Sequence, residues 1–400
     1  MAENKKFKFQ RIPSPNNFKA FDWSEKGKDE YVKFGDDNLF PQTTIDIYNK
    51  SSIHAAAVNA IVQGIIGKGL TANEEVYLNS ANRKGETWND LYAKVALDYK
   101  LHGSFAIEVI WSRDRSMVEF YHIDFSHIRA AKKDHRGHVP GYFISSEWNR
   151  IGRSRAVVTD QEALYIPSFN PLLKEEHPHQ LYVHQNYRPG QTYYPLPDYV
   201  GAYRVIELDT EIDNFHTNNI RNGLAPSLSI TTFTNGSDEQ LREIEAQLNA
   251  NYAGGENAGS LMYIDVDSPE NAPQITPIPQ NGADGYYVTI NDMVVQKILT
   301  AHRITSPMIL GIKTEGQLGG RTELLDAHLL FLNLVIQPFQ QQLLTCLEGI
   351  MSFMYPDIVL GVEQKRLLED GVQEEEVIVS DETTAEEENE VTNEQPELIA

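Results

Sequence analysis

The pattern of apolar and polar positions divides the chain into segments of different period. Pro41 opens a stretch in which Ile45, Ile47, Tyr48, Ile53, Ala57, Ile61 and Ile65 keep roughly helical spacing, with a break near Ser51. Gly67 and Gly69 end it, which predicts two short helices. Thr87 stands where an N-cap belongs, and Trp88, Leu91, Val95, Leu97 and Tyr99 mark a helix that Gly103 stops. The period then falls to two. SFAIEVIW, MVEFYHI, HIRAAKK, GYFISSEW and ALYIPSF predict β-strands between Ser104 and Phe169, with RDRS and KDHRGH as turns.

A Pro- and Tyr-rich connector runs from there to Pro197, and a helix is expected from about Asp198 to Asn222. The next segment, Leu224 to about Val288, predicts a small module of strand, helix and strand, its helix capped by Ser237 or Asp238. In TINDMVVQKILTAHRI, Thr289 and Asp292 have the spacing of a helix start. Thr322 is placed to cap a long helix in which Leu324, Leu325, His328, Leu329, Leu332, Val335, Ile336, Phe339, Leu343, Leu344, Leu347 and Ile350 share one side, with Pro338 a kink. The fold class is α+β, with no internal repeat.

Composition narrows the picture. Of 400 residues, 41% are hydrophobic, enough for a substantial core. The single cysteine, Cys346, excludes an intrachain disulfide and any multi-cysteine metal site. The opening MAENKKFKFQRIPSP lacks the apolar core of a secretory signal, and the most apolar run, Ala55 to Gly67, is too short to cross a bilayer, so a cytoplasmic chain without a membrane partner is expected. Net charge is −23. From Glu363 to Glu397 fourteen acidic residues face Lys365 and Arg366, and disorder is expected past about Gly371. Such a surface repels DNA rather than gripping it, which still suits a channel through which a polyanion slides.

The stretch SPMILGIKTEGQLGGRTELLDAHLLFLN, Ser306 to Asn333, places a Gly-rich polar loop between two helical segments. GQLGGRT lacks the Lys that a phosphate loop needs. Pro356, Asp357, Glu363 and Lys365 mimic a Mg²⁺ nuclease, but five residues between the two elements leave barely a tight hairpin, so a chain leaving the last helix toward a charged tail is expected instead. His122, His127, His135 and His138 cluster in the strand region without the i, i+4 spacing of a helical zinc site. Glu207, Asp209, Glu211 and Asp213, near Arg204 and Arg221, form either a solvated helix face or a face against a neighbouring subunit and a channel. No catalytic residue, metal or cofactor is expected, and the chain is read as a non-enzyme.

Several segments together resemble the portal proteins of tailed bacteriophages, in the form with a minimal crown. They are the stretch from Trp88 through GSFAIEVI and its following strands, RPGQTYYPL before a long helix, QKILTAHRITSPMILGI, GQLGG, and ELLDAHLLFLNLVIQPFQQQLL, covering about residues 35 to 355. The resemblance implies a ring, usually of twelve subunits, with an N-terminal arm and wing at 1–194, stem helices at 195–222 and 289–306, and a clip at 223–288. It makes 307–321 a tunnel loop, 322–370 a wing helix with a short crown remnant, and 371–400 a disordered acidic tail. Double-stranded DNA in transit would meet Lys313, Thr314, Glu315, Gly316, Gln317, Leu318, Gly319, Gly320 and Arg321. Asn235, Asp238, Glu239, Arg242, Asn251 and Glu256 of the clip would dock the terminase large subunit or a head-completion adaptor. The ring itself, the major capsid protein or a scaffold, and a virion location complete the implied setting.

Overall fold

The computed structural model describes residues 29–150, 163–222, 228–232, 242, 261–265, 283–304, 306–311 and 321–365. Helix α1 (Phe40–Lys50) has Pro41 in its first turn, where a missing N–H costs nothing. Ser51 then breaks the chain between helices. Its backbone is extended, and its Oγ accepts from the His54 N–H to cap α2 (Ser52–Ile66). Helix α3 (Trp88–His102) opens on a reciprocal capping box between Thr87 and Asp90 and ends at Gly103, which is left-handed at φ 73°.

The strands predicted by the alternating pattern form two antiparallel sheets. In the first, β2 (Ser104–Trp111) lies between β3 (Val118–Ile123) and β7 (His179–Gln185). In the second, β4 (Ile128–Ala130), β5 (Gly141–Ile144) and β6 (Leu164–Pro167) lie side by side. Strand β7 corrects the sequence reading, which had only a connector there. HQLYVHQ carries polar residues on both faces, because Gln180 is buried and its amide holds Asn170 and His177 carbonyls instead of meeting solvent.

A second correction concerns the far end of the chain. Instead of simply leaving the last helix, residues 360–363 form β10, antiparallel to β1 (Gly69–Ala72), with Leu70 opposite Val362. Lys68 and Glu363 close its end with an ion pair of 2.9 Å.

Two apolar clusters hold the elements. One gathers α2, α3, β2 and β3 against the final helices through Val58, Ile61, Leu91, Val95, Phe105, Leu343 and Leu347. The other joins Phe34, Phe40, Ile128 and Tyr194 to Tyr199, Tyr203 and Ile206 at the base of α4 (Tyr203–Asn222), and to Val294 and Ile298 of α5 (Ala283–Ala301). Helix α5 begins ahead of Thr289 and Asp292, both of which lie inside it, so the boundary drawn at 288 falls within a helix. A 3-10 turn, Asp198–Ala202, precedes α4. Strands β8 (Leu228–Thr232) and β9 (Leu261–Asp265) pair in parallel, which requires a crossover between them.

Helix α6 (Arg321–Phe331) begins one residue before Thr322, so Thr322 is not its cap. It passes through a π-turn, Leu332–Ile336, into α7 (Gln337–Met351). The irregularity expected at Pro338 thus appears as the π-turn just before it, which places Pro338 in the first turn of α7. Leu329, assigned to the inner face, is 54% exposed. None of the helices among the described residues is long and apolar enough to cross a membrane.

Candidate functional site

Helices α4 and α5 pack on each other, and their lower ends meet the body at a buried polar junction. Lys100, in the last turn of α3, has a side chain with no exposure, and its Nζ lies 2.7 Å and 2.9 Å from the two carboxylate oxygens of Asp198. Arg303, just past α5 and itself at φ 58°, donates to the same carboxylate at 3.0 Å. The charges of Lys100 and Arg303 also sit over the Phe339 ring of α7, at 5.4 Å and 5.5 Å from its centre. One carboxylate therefore ties the starts and ends of three helices together.

Behind it, His54 of α2 and His302 share a hydrogen bond of 2.9 Å, both fully buried and both against the Tyr199 ring. Burial, with Lys100 nearby, pushes His54 down to about 4, and burial, Lys100 and His54 push His302 well below its usual value. Both imidazoles are neutral at physiological pH. Burial also lowers Lys100, against the opposing pull of Asp198. Tyr199 donates its hydroxyl to the Leu101 carbonyl at 2.8 Å and is raised by burial. This arrangement is suited to fixing two helices at a set angle.

The acidic run on α4 divides. Asp209 turns inward and accepts from Ser51 Oγ at 2.7 Å, and burial raises its carboxyl. Glu207, Glu211 and Asp213 remain exposed. Between the bases of α4 and α5 lies an open pocket of about 430 Å³, bordered by Asp198, Val205, Met293, Gln296 and Lys297.

After α5 the chain forms a 3-10 turn, Pro307–Leu310, capped by Ser306 and closed by left-handed Gly311 at φ 76°. Lys313, Thr314, Glu315, Gly316, Gln317, Leu318, Gly319 and Gly320 lie outside the described residues, and Arg321 is the first residue of α6. Of the docking set, Arg242 is helical and exposed, while Asn235, Asp238, Glu239, Asn251 and Glu256 lie outside the described residues. So do the predicted helix start at Ser237 and the tail from 371.

The nuclease mimic takes part in a structural staple. Glu363 pairs with Lys68, and the Asp357 carbonyl accepts from Asn73 at 3.0 Å. His135 and His138 are exposed on their turn, whereas His122 binds Asp98 at 2.8 Å and His127 lies 4.0 Å from Asp124. Sequence reasoning missed Asp98 and His102, although they stand four residues apart on α3, the spacing sought among the other histidines.

No protein-family model matches the sequence, and no curated protein does. Solved structures do match. A chain of the virion of the native gene transfer agent particle is 14% identical, with a TM-score of 0.54 over 82% of this chain and 86% of that one. A chain of the neck of that native particle, computed with C12 symmetry, is 14% identical with a TM-score of 0.51 over 83% and 86%. An HK97-family phage portal protein from Corynebacterium diphtheriae is 10% identical, with a TM-score of 0.44 over 79% and 93%. At these identities the likeness is one of fold: this chain has the fold of a chain from a particle neck.

Proposed function

We propose that the chain is a portal vertex protein. It forms a homo-oligomeric ring, of twelve copies in the simplest reading, through which double-stranded DNA enters and leaves a capsid. The observation that carries this reading is the fold match over more than four fifths of both chains to a virion chain. A related match, to a neck computed with C12 symmetry, favours a ring.

In this reading α4 and α5 are the stem and the segment around β8 and β9 is the clip, presenting Arg242 and its neighbours to a terminase large subunit or a head-completion adaptor. The residues between Gly311 and α6 face the DNA. Glycines at 316, 319 and 320 give that loop the backbone freedom to follow a moving duplex, and Lys313 and Arg321 supply isolated positive charges that steer without holding. The body meets the major capsid protein or a scaffold. The ring works without catalysis of its own, and packaging energy comes from the separate motor.

Negative-stain microscopy with mass photometry of the purified chain tests this. Rings with a central hole are expected, and a population made only of single chains would overturn the reading. Deleting Gly316 to Gly320 should leave rings intact but reduce the DNA content of capsids.

A further inference from the structure

We propose that Asp98, His102 and Asp124 bind one divalent transition-metal cation, a site independent of the ring reading. Asp98 and His102 stand one turn apart at the end of α3, and Asp124 follows β3. One ligand atom from each residue lies within 4.8 Å of the other two.

The histidine is already in the state a metal requires. Its side chain is wholly buried, and Nδ1 lies 3.0 Å from Thr44 Oγ1. That hydroxyl donates to the Pro41 carbonyl at 2.6 Å, so toward His102 it can only accept. The proton therefore sits on Nδ1, and Nε2 is a bare lone pair. Nε2 is also completely buried and has no hydrogen-bond partner among the described residues. A buried imidazole nitrogen left unsatisfied is costly, and a cation shared with the Asp98 and Asp124 carboxylates would satisfy it.

The nearby Arg129 guanidinium donates to Asn38, Ser126 and Ile128 rather than to either carboxylate.

Both carboxylates are held by hydrogen bonds, as metal ligands usually are. Asp98 Oδ2 accepts from His122 Nε2 at 2.8 Å and from the Phe125 N–H at 3.1 Å. Asp124 Oδ1 accepts from the Ser126 N–H at 2.8 Å.

One imidazole and two carboxylates favour Zn²⁺ or Mn²⁺ over Ca²⁺, which prefers an all-oxygen shell. Tetrahedral zinc would bring its donors to about 3.4 Å apart, a closure of up to about 1.4 Å from the 4.8 Å within which they lie. Asp124, whose side chain is 44% exposed, has the freedom to supply that movement and leaves an edge open to water as a fourth ligand. Bound metal would pin the end of α3 to the turn after β3, two residues from the Lys100 junction.

The full chain, stripped with EDTA and dialysed against Zn²⁺, should retain about one equivalent by elemental analysis and melt several degrees higher than the stripped form. Co²⁺ should give visible d–d absorption. Asp124→Asn should weaken Zn²⁺ binding at least tenfold and abolish the melting shift, as should His102→Gln. The surface control His135→Ala/His138→Ala should bind like the wild type. No melting shift with Zn²⁺, Mn²⁺ or Co²⁺, or unchanged binding in Asp124→Asn, overturns the proposal.

Discussion

Lys100 Nζ and Asp198 Oδ1 lie 2.7 Å apart, with the lysine side chain fully enclosed and the aspartate 22% exposed. The two partners are therefore not equivalent. Removing the carboxylate strands an ammonium group out of water beside Arg303, whereas removing the ammonium leaves Asp198 paired with Arg303 and partly hydrated. Asp198→Ala should destabilise the fold by about 3–5 kcal/mol. Lys100→Met should cost less than half as much. Urea unfolding of both variants checks this, and equal losses would show that the junction works as a symmetric pair.

The buried histidines set an acid limit. His54 falls from 6.5 to about 4 in the folded state, chiefly through burial, and His302 falls as well. Between those values the unfolded chain binds protons that the folded chain refuses, so stability rises with pH there. The contribution is fully present above pH 6.5 and is lost as pH falls toward 4. His54 alone accounts for a loss on the order of 3 kcal/mol. Melting curves from pH 7.5 to 4.5 should show the fall, and His54→Gln should flatten it.

How much of this was legible depended on whether the signal was local. Ser51, Thr87 and Gly103 act through neighbours within four residues, and the sequence located the breaks they make. The alternating strands were equally visible, because period two persists over each one. Strands β1 and β10 have four residues each and pair across nearly three hundred positions, so neither carries a pattern of its own. Helix α3 misled in another way. Asp98, Tyr99, Lys100, Leu101 and His102 are all buried, since the sheet, α1 and the approach to α4 wrap the helix end from every side. An amphipathic reading assigns part of such a run to solvent. The lysine of the buried ion pair and two of the three candidate metal ligands come from this stretch.

Gly103 should tolerate no side chain. Its φ of 73° disfavours any residue with a Cβ, and a Cβ there would stand 2.7 Å from the Leu196 carbonyl oxygen, in backbone that cannot swing aside. Gly103→Ala should cost about 2–4 kcal/mol, combining left-handed strain with overpacking. Gly85, also left-handed at φ 80° but open to solvent, isolates the conformational part. Gly85→Ala should cost about 1 kcal/mol. Denaturant midpoints for the two variants separate strain from collision, and similar losses would show that the Leu196 contact yields.

The surface of α6 and the π-turn supplies the sharpest test of assembly. Leu329, Leu330 and Leu334 are 54%, 51% and 62% exposed, an apolar group that the fold of one chain leaves uncovered. Burying each leucine against a neighbouring copy would contribute about 1.5–3 kcal/mol, and the gain would repeat at every interface of a ring. Because these side chains do little inside the chain, charged replacements should leave its own stability within about 0.5 kcal/mol. A carboxylate carried into an apolar contact would be desolvated without a partner, which opposes assembly strongly. Leu330→Glu/Leu334→Glu should therefore yield single chains in mass photometry, with a urea midpoint equal to that of the wild type at a dilution where its ring is dissociated. If the variant still forms rings, this face lies away from the subunit contact. If its midpoint falls sharply as well, the leucines belong to the fold of the single chain, and assembly must be sought on the open pocket between α4 and α5.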